Sequence, residues 1–343
     1  MKDLLLLCVV ISKQPIMKVF VTGANGLLGH QVVIELLNRK HDVKAIVRNV
    51  TGIHYDLSAV DFCKGNFANY ENLKSAAEGC DVIIHIAAVT ATDLLHYEDY
   101  SKVNVDGTAL IIKVANELNI NTIVYVSSAN TIGFGNEHEL ADERFSIKYP
   151  FSKSFYAQSK VESERLFVEA SKYGNKHFVI INPTFMIGAY DPKPSSGKLM
   201  LRGYKKRILF TPKGGKNFVP AKDVAVAVCN AIMQGRNGEK YLASGLNLTF
   251  LEFYSLEKQI GNYRQFIVGI PGFLLILIGK VGDLFRKSGI RTELCSMNLR
   301  QLMIREYYSN KKAKTELNLP ETDLKIAIRE ALDWFKTHEM VDP

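Results

Sequence analysis

Thr22-Gly23-Ala24-Asn25-Gly26-Leu27-Leu28-Gly29 follows the apolar run Lys18-Val19-Phe20-Val21 and opens an amphipathic stretch from Gln31 to Asn38. The order is strand, glycine turn, helix. Gly23 can take the backbone angles that a tight turn needs. Gly26 lets main-chain N–H groups approach a pyrophosphate, and Gly29 lets helix and strand pack closely. The turn reads as a dinucleotide cradle, with Asn25, Leu27 and Leu28 counted among its contacting residues. An ordinary βα connection has the same spacing, so the rest of the chain has to decide.

Tyr156-Ala157-Gln158-Ser159-Lys160 lies about 130 residues further on and puts a phenol and an ammonium on one helix face. A nearby cation lowers a tyrosine pKa, so this pair is expected to favour proton transfer near neutral pH. A solvated helix face is the alternative for the pair alone. Between turn and pair, Ile123-Val124-Tyr125-Val126 ends in Ser127-Ser128, where doubly wound sheets bind their ligands. Strands are predicted at 18–21, 43–47, 60–64, 82–86, 123–126 and 177–181, and helices at 27–38, 70–77, 105–118, 155–172 and 324–337. This alternation specifies an α/β fold, a doubly wound parallel sheet of the Rossmann kind with a smaller mixed C-terminal substrate lobe. Residues 17–182, joined by 217–248, are assigned to the dinucleotide-binding domain; 183–216 and 249–343 are assigned to the substrate lobe.

At these residues the chain resembles the extended short-chain dehydrogenase/reductases, which include sugar-nucleotide epimerases, dehydratases and dihydroflavonol-reductase-like enzymes. The likeness runs from about Met17 to the C-terminus and its motifs keep family order. They are the glycine turn, His85-Ile86-Ala87-Ala88, Val103-Asn104-Val105-Asp106-Gly107-Thr108, Ser127-Ser128, Tyr156 with Lys160, Asn182-Pro183-Thr184, and Phe218-Val219-Pro220-Ala221-Lys222-Asp223-Val224-Ala225. The resemblance implies an NAD(P)-dependent oxidoreductase with Ser128, Tyr156 and Lys160 as catalytic residues. It places Phe67, Ala87, Ala88, Asn104, Pro183 and Thr184 near the cofactor, Tyr156 and Lys160 also at the cofactor with Lys160 on the nicotinamide ribose, and Ser128 and Asn182 near substrate. Ser127 competes with Ser128; the family's active hydroxyl lies five residues before the glycine that is here Gly133, which favours Ser128. Asn104 is read as a water or helix-turn anchor, or simply a helix cap, and His85 as a packed strand residue. The resemblance also implies a homodimer through helices 105–118 and 155–172.

Cofactor choice turns on the end of the second strand, which reads Val47-Arg48-Asn49 with no carboxylate for a ribose 2′-hydroxyl. Arg48 fits a 2′-phosphate and an adenine plane, so NADP(H) is favoured over NAD(H); an arginine that merely ends a strand is the other reading. Asn66 stands where the family usually has an aspartate facing adenine. The expected reaction is reduction of a ketone or aldehyde. A sugar-nucleotide epimerase is the runner-up, and a non-enzymatic dinucleotide sensor is disfavoured because Tyr156 and Lys160 are both present. Ala129-Asn130 after Ser128 argues against the dehydratases, which carry Asp-Glu there.

Of the 343 residues, 47% are hydrophobic and 23% charged, as in soluble globular chains, with a formal charge of +8. No recognition helix or aromatic-studded basic face accompanies that charge, so nucleic acid is not expected as a partner. The cysteines Cys8, Cys63, Cys80, Cys229 and Cys295 are odd in number and scattered, which reads as reduced thiols in the cytoplasm and no metal site. Residues 1–16, including apolar Leu4 to Ile11, are read as an extension outside the fold, with a membrane anchor as the lesser alternative. Phe266 to Val281 is too interrupted by Pro271, Gly272, Gly279 and Lys280 to span a bilayer; it is read as a buried or pocket-lining helix, with peripheral membrane contact as the alternative. Between Pro192 and Lys222 stand nine Lys or Arg residues, Lys198 and Arg202 among them, and no Asp or Glu. Either this run meets an anionic substrate or it is a solvated basic loop.

Overall fold

The computed structural model describes residues 15–341; Leu4 to Ile11 and Cys8 lie outside the described residues. Seven strands form one parallel sheet: β1 (Lys18–Thr22), β2 (Asp42–Val47), β3 (Val60–Lys64), β4 (Val82–His85), β5 (Thr122–Val126), β6 (His177–Pro183) and β10 (Lys240–Ala243). Their spatial order is β3-β2-β1-β4-β5-β6-β10, so the order reverses between β1 and β4. That is the doubly wound arrangement, whose ligands bind beyond the strand carboxyl ends at the reversal.

The middle strands are largely apolar because helices cover both faces, while β2 and the edge strand β3 also carry Asp42, Lys44, Asp61 and Lys64. Side chains alternate between two cores. Val19, Val21, Ile84, Val124 and Ile181 join α1 (Leu27–Asn38) and α6 (Ala221–Gln234) on one face. Phe20, Ile83, Ile123, Tyr125 and Ile180 join α2 (Tyr70–Ala77), α3 (Glu98–Glu117) and α4 (Phe155–Ser171) on the other. Helix α3 begins at Glu98 rather than Val105, because acidic Glu98 and Asp99 suit a helix N-terminus and buried Asn104 hides the apolar period. The return to the sheet is narrower than 217–248. Only α6 and β10 join it, while β9 (Gly215–Pro220) and β11 (Leu246–Thr249) pair with β7 (Phe185–Ile187) in a separate three-stranded sheet.

The second lobe is built around that small sheet, α5 (Gly197–Gly203), α7 (Phe250–Ile260) and α11 (Leu324–Thr337). The predicted apolar face of α11 (Leu324, Ile328, Ala331, Leu332 and Phe335) is buried against Phe218, Phe250 and Phe253. One C-terminal piece belongs elsewhere: Ala313 and Leu317 of α10 (Lys311–Leu317) pack into the first core, beside α6. A two-stranded ribbon of β8 (Ile208–Thr211) and β12 (Phe266–Gly269) leads into α8 (Gly272–Lys287) and α9 (Ser296–Gln301). The stretch Phe266 to Val281 is therefore strand and then helix. It is not the buried or pocket-lining helix expected: Phe273, Leu277, Ile278 and Val281 face solvent. Among the described residues no helix is long and apolar enough to cross a membrane.

Candidate active site

The carboxyl ends of β1, β2, β4, β5 and β6 carry Gly23, Arg48, Ala87, Ser128 and Asn182 respectively, on or just past the strand. Gly23 has φ +78°, where a side chain is strained, and a Cβ there would lie 2.7 Å from the Ala87 nitrogen. A Cβ on Gly29 would lie 2.0 Å from the Gly23 carbonyl oxygen, which is the close helix–strand approach read from the sequence. Gly26 caps α1, and no side chain caps its first turn or adds an acidic charge there. The N–H groups of that turn, which includes Leu27 and Leu28, are thus left to an anion. Beneath the turn, Thr22 Oγ1 accepts from the Ile86 and Ala87 N–H groups and pairs with His85 Nδ1 at 2.7 Å. His85 is buried, stacked on Tyr125, and held down to about 3 by burial and by Lys160. It is a packed strand residue, as read.

Arg48 follows β2, is exposed, and makes no hydrogen bond or ion pair among the described residues. Asn66 follows β3, and its Oδ1 accepts from Ala68 N at 3.1 Å. Phe67 packs on α3, where a Cβ on Gly107 would come within 2.8 Å of its ring. Asn104 is no helix cap. It sits inside α3, donates Nδ2 to Val89 O at 3.1 Å and to Ser159 Oγ at 2.9 Å, and accepts from Val89 N at 2.8 Å. It ties the loop after β4 to α4. Thr184 Oγ1 donates to Asn217 Oδ1 at 2.6 Å, directly after buried Pro183.

The two candidate serines separate cleanly. Ser127 Oγ donates to buried Glu164 at 2.6 Å, whereas the Ser128 hydroxyl faces the Tyr156 phenol and increases its acidity. The Tyr156 pKa nevertheless moves up, not down as expected, because burial disfavours the phenolate more than Ser128 favours it. Lys160 is almost fully buried. Its Nζ donates to Val126 O at 2.8 Å and lies 4.5 Å from the Tyr125 ring centroid, and burial pulls its pKa down to about 7 against the attraction of Glu164.

That depression has a measurable sign. A lysine whose folded pKa is below its unfolded value destabilises the fold most at pH below the folded value, and the penalty shrinks as pH rises towards the unfolded value near 10.4. Lys160→Met is therefore expected to raise the melting temperature more at pH 6 than at pH 9, while activity is lost. An equal change at both pH values in thermal melts would show that burial does not burden this amine.

Below the serines lies a network that no motif announced. Glu164 Oε1 accepts from Ser127 Oγ, from Thr131 Oγ1 at 2.7 Å and from Asn182 Nδ2 at 2.7 Å, and its Oε2 pairs with Lys240 Nζ. Asn182 and Thr131 in turn donate to the Ser128 carbonyl at 3.1 and 2.8 Å. Asn182 was expected near substrate; it is wholly buried and holds the Ser128 main chain instead. The only sequence signal for Glu164 is its place four residues after Lys160 on the same helix face. Lys198 and Arg202 are exposed and both pair with Glu293, at 3.0 and 2.5 Å, a carboxylate from far outside the acid-free window. Among the described residues no three His, Cys, Asp or Glu side chains are grouped to hold a metal ion.

The family profile described as "NAD dependent epimerase/dehydratase family" matches residues 19–243. The chain belongs to this family. Within it, a putative dihydroflavonol 4-reductase of Synechocystis sp. is 27% identical over 94% of this chain and 95% of its own. A 4-hydroxy-2-methyl-3-oxo-4-farnesyl-3,4-dihydroquinoline-1-oxide ketoreductase of Stigmatella aurantiaca is 30% identical over 74% of this chain and 76% of its own. The crystal structure of gox2253 superposes with a TM-score of 0.81 at 26% identity, covering 94% of this chain and 99% of that one. The chain is an NAD(P)-dependent oxidoreductase of the extended short-chain dehydrogenase/reductase type.

Proposed function

We propose that this enzyme reduces a ketone or aldehyde group of a small-molecule substrate, with NADP(H) as its cofactor. The observation that carries the reading is Arg48, an exposed guanidinium at the end of β2 with no carboxylate beside it and no protein partner among the described residues. Such a group matches a 2′-phosphate, and an NADPH-selective member of this family exchanges its cofactor at each turnover. The Gly23–Gly29 turn and the first turn of α1 fit the pyrophosphate of that dinucleotide, which when bound supplies hydride to the carbonyl carbon. Tyr156 gives its phenolic proton to the substrate oxygen. Ser128 donates a hydrogen bond to the same oxygen and aligns it. Lys160, whose Nζ donates to Val126 O, would hold the nicotinamide ribose and, when protonated, supply positive charge on the helix face it shares with Tyr156. Proton and hydride together convert carbonyl to alcohol.

Lys198 and Arg202 are engaged by Glu293, so we leave an anionic group out of the substrate's description. We also propose a cytoplasmic setting, on the free Cys63, Cys80, Cys229 and Cys295, and a homodimer through α3 and α4. The family description keeps epimerisation as the second reading, in which the cofactor is recycled within one active site.

Arg48→Ala tests the choice. It is expected to weaken NADPH binding by about 1.5–3 kcal/mol, the worth of a hydrogen bond to a charged group, and to leave NADH binding almost unchanged in fluorescence titrations. Equal losses for both cofactors would make Arg48 structural, and a wild-type preference for NADH would favour the epimerase.

A further inference from the structure

Helix α8 turns an apolar face to solvent and is locked in that orientation. Its packed side consists of Leu275, Gly279, Gly282 and Arg286. A Cβ on Gly282 would lie 1.7 Å from Leu294 O, and one on Gly279 would lie 2.7 Å from the Ser296 Cα. Arg286 fastens the same side by donating to the carbonyls of Asp93 and Leu94 at 2.9 and 2.6 Å. The helix therefore lies flat on 294–296 and cannot roll its apolar side inwards without a backbone clash.

The outward side carries Phe273, Leu274, Leu277, Ile278, Val281, Leu284 and Phe285, of which Phe273 is 68% and Leu284 63% exposed. At 3.6 residues per turn they fall within an arc of about 140°. Exposed Lys280 and Lys287 border that arc on one side. The adjoining ribbon continues the chemistry. Paired Phe266↔Ile208 and Val268↔Phe210 share an exposed face, with Phe266 77% exposed. Residues 205–213 and 264–287 together hold eight Lys or Arg and one Asp.

We propose that the β8–β12 ribbon and α8 dock the enzyme on an anionic membrane surface, with the apolar arc at the headgroup–acyl boundary and the basic rim on lipid phosphates. An apolar stripe edged by cations is what an in-plane interfacial helix needs. A second copy of the chain is a poor occupant, since it would bring two rims of the same sign together. The bilayer supplies opposite charge and apolar depth at once. Arg286 links the docked helix to the loop after β4, which Asn104 ties to α4. The docking itself does not rest on the proposed reaction.

The test is co-sedimentation of the full chain with vesicles of phosphatidylcholine alone or of equal parts phosphatidylcholine and phosphatidylglycerol. Binding is expected to the anionic vesicles and not to the neutral ones, and to fall as salt rises from about 0.1 to about 1 M, where screening shortens from about 10 to about 3 Å. Lys280→Gln/Lys287→Gln is expected to weaken partition by roughly 30-fold, about fivefold per lysine. Phe273→Gln/Leu277→Gln is expected to abolish it, and both variants, being altered only at exposed positions, to melt like wild type. Absence of binding to anionic vesicles overturns the proposal. So does salt-sensitive binding that survives the Phe273/Leu277 change, which would be charge adsorption alone. A stable dimer that the same apolar variant dissociates would assign the face to self-association instead.

Discussion

Tyr156→Phe is expected to lower kcat by about 10²–10⁴-fold while leaving NADPH affinity nearly intact, because the ring stays packed and only the proton donor is lost. The raised Tyr156 pKa sharpens the expectation. A phenol held protonated is ready to act as an acid, so reduction is expected to vary little across neutral and mildly acidic pH. The reverse oxidation needs the phenolate and is expected to quicken as pH rises towards the elevated value. On the proposed roles of that amine, beside the phenol and on the nicotinamide ribose, Lys160→Ala is expected to impair turnover and cofactor affinity together. Steady-state rates in both directions over a pH series, with NADPH titrations of each variant, check this. A phenylalanine variant that keeps more than about a tenth of wild-type kcat would remove Tyr156 from the reaction.

The fold was legible because parallel strands covered on both faces announce themselves: Val19-Phe20-Val21 and Ile123-Val124-Tyr125-Val126 are unbroken apolar runs, each followed by glycine or hydroxyl residues that suit a ligand-binding strand end. Gly29 was legible for the same local reason, since its neighbour in space, Gly23, is also its neighbour in sequence. What the sequence hid depended on distant partners. Lys198 and Arg202 looked unopposed within their own segment, yet Glu293 reaches both across more than 90 residues. Asn182 sits where substrate contact was expected, but whether an amide faces a cleft or a buried carboxylate depends on Glu164, carried by another element. The Tyr156 shift runs against the sequence reading because the Tyr-x-x-x-Lys spacing reports proximity of charge and says nothing of burial. The same limit applies to α8, whose apolar composition predicts burial although its outer face is exposed.

Glu164 is where this hidden layer meets the chemistry. Glu164→Ala would leave Ser127, Thr131 and Asn182 without their shared acceptor and Lys240 without its counter-ion. Loss of one partner of a pair whose carboxylate is buried is expected to destabilise the fold by about 3 kcal/mol. Activity is expected to fall too, for a separate reason. Asn182 and Thr131 both hold the Ser128 carbonyl, so their release lets Ser128 drift from the oxygen it aligns, and small misplacements of an aligning group have large rate effects. The loss is expected mainly in kcat, with a smaller effect on KM for NADPH: the Gly23–Gly29 turn and Arg48 lie apart from this network, and only Lys160, whose charge Glu164 favours, links the two. Glu164→Gln, which keeps the volume and one acceptor oxygen, is expected to retain part of the rate. The decisive comparison is Glu164→Leu/Lys240→Met. Removing both charges together takes away the unpaired ammonium and is expected to recover much of the stability. It does not restore an acceptor able to hold Ser127, Thr131 and Asn182 at once, so kcat is expected to stay low. If kcat instead returns in step with the melting temperature, Glu164 serves the fold alone and Ser128 is positioned by the backbone of β5 without it.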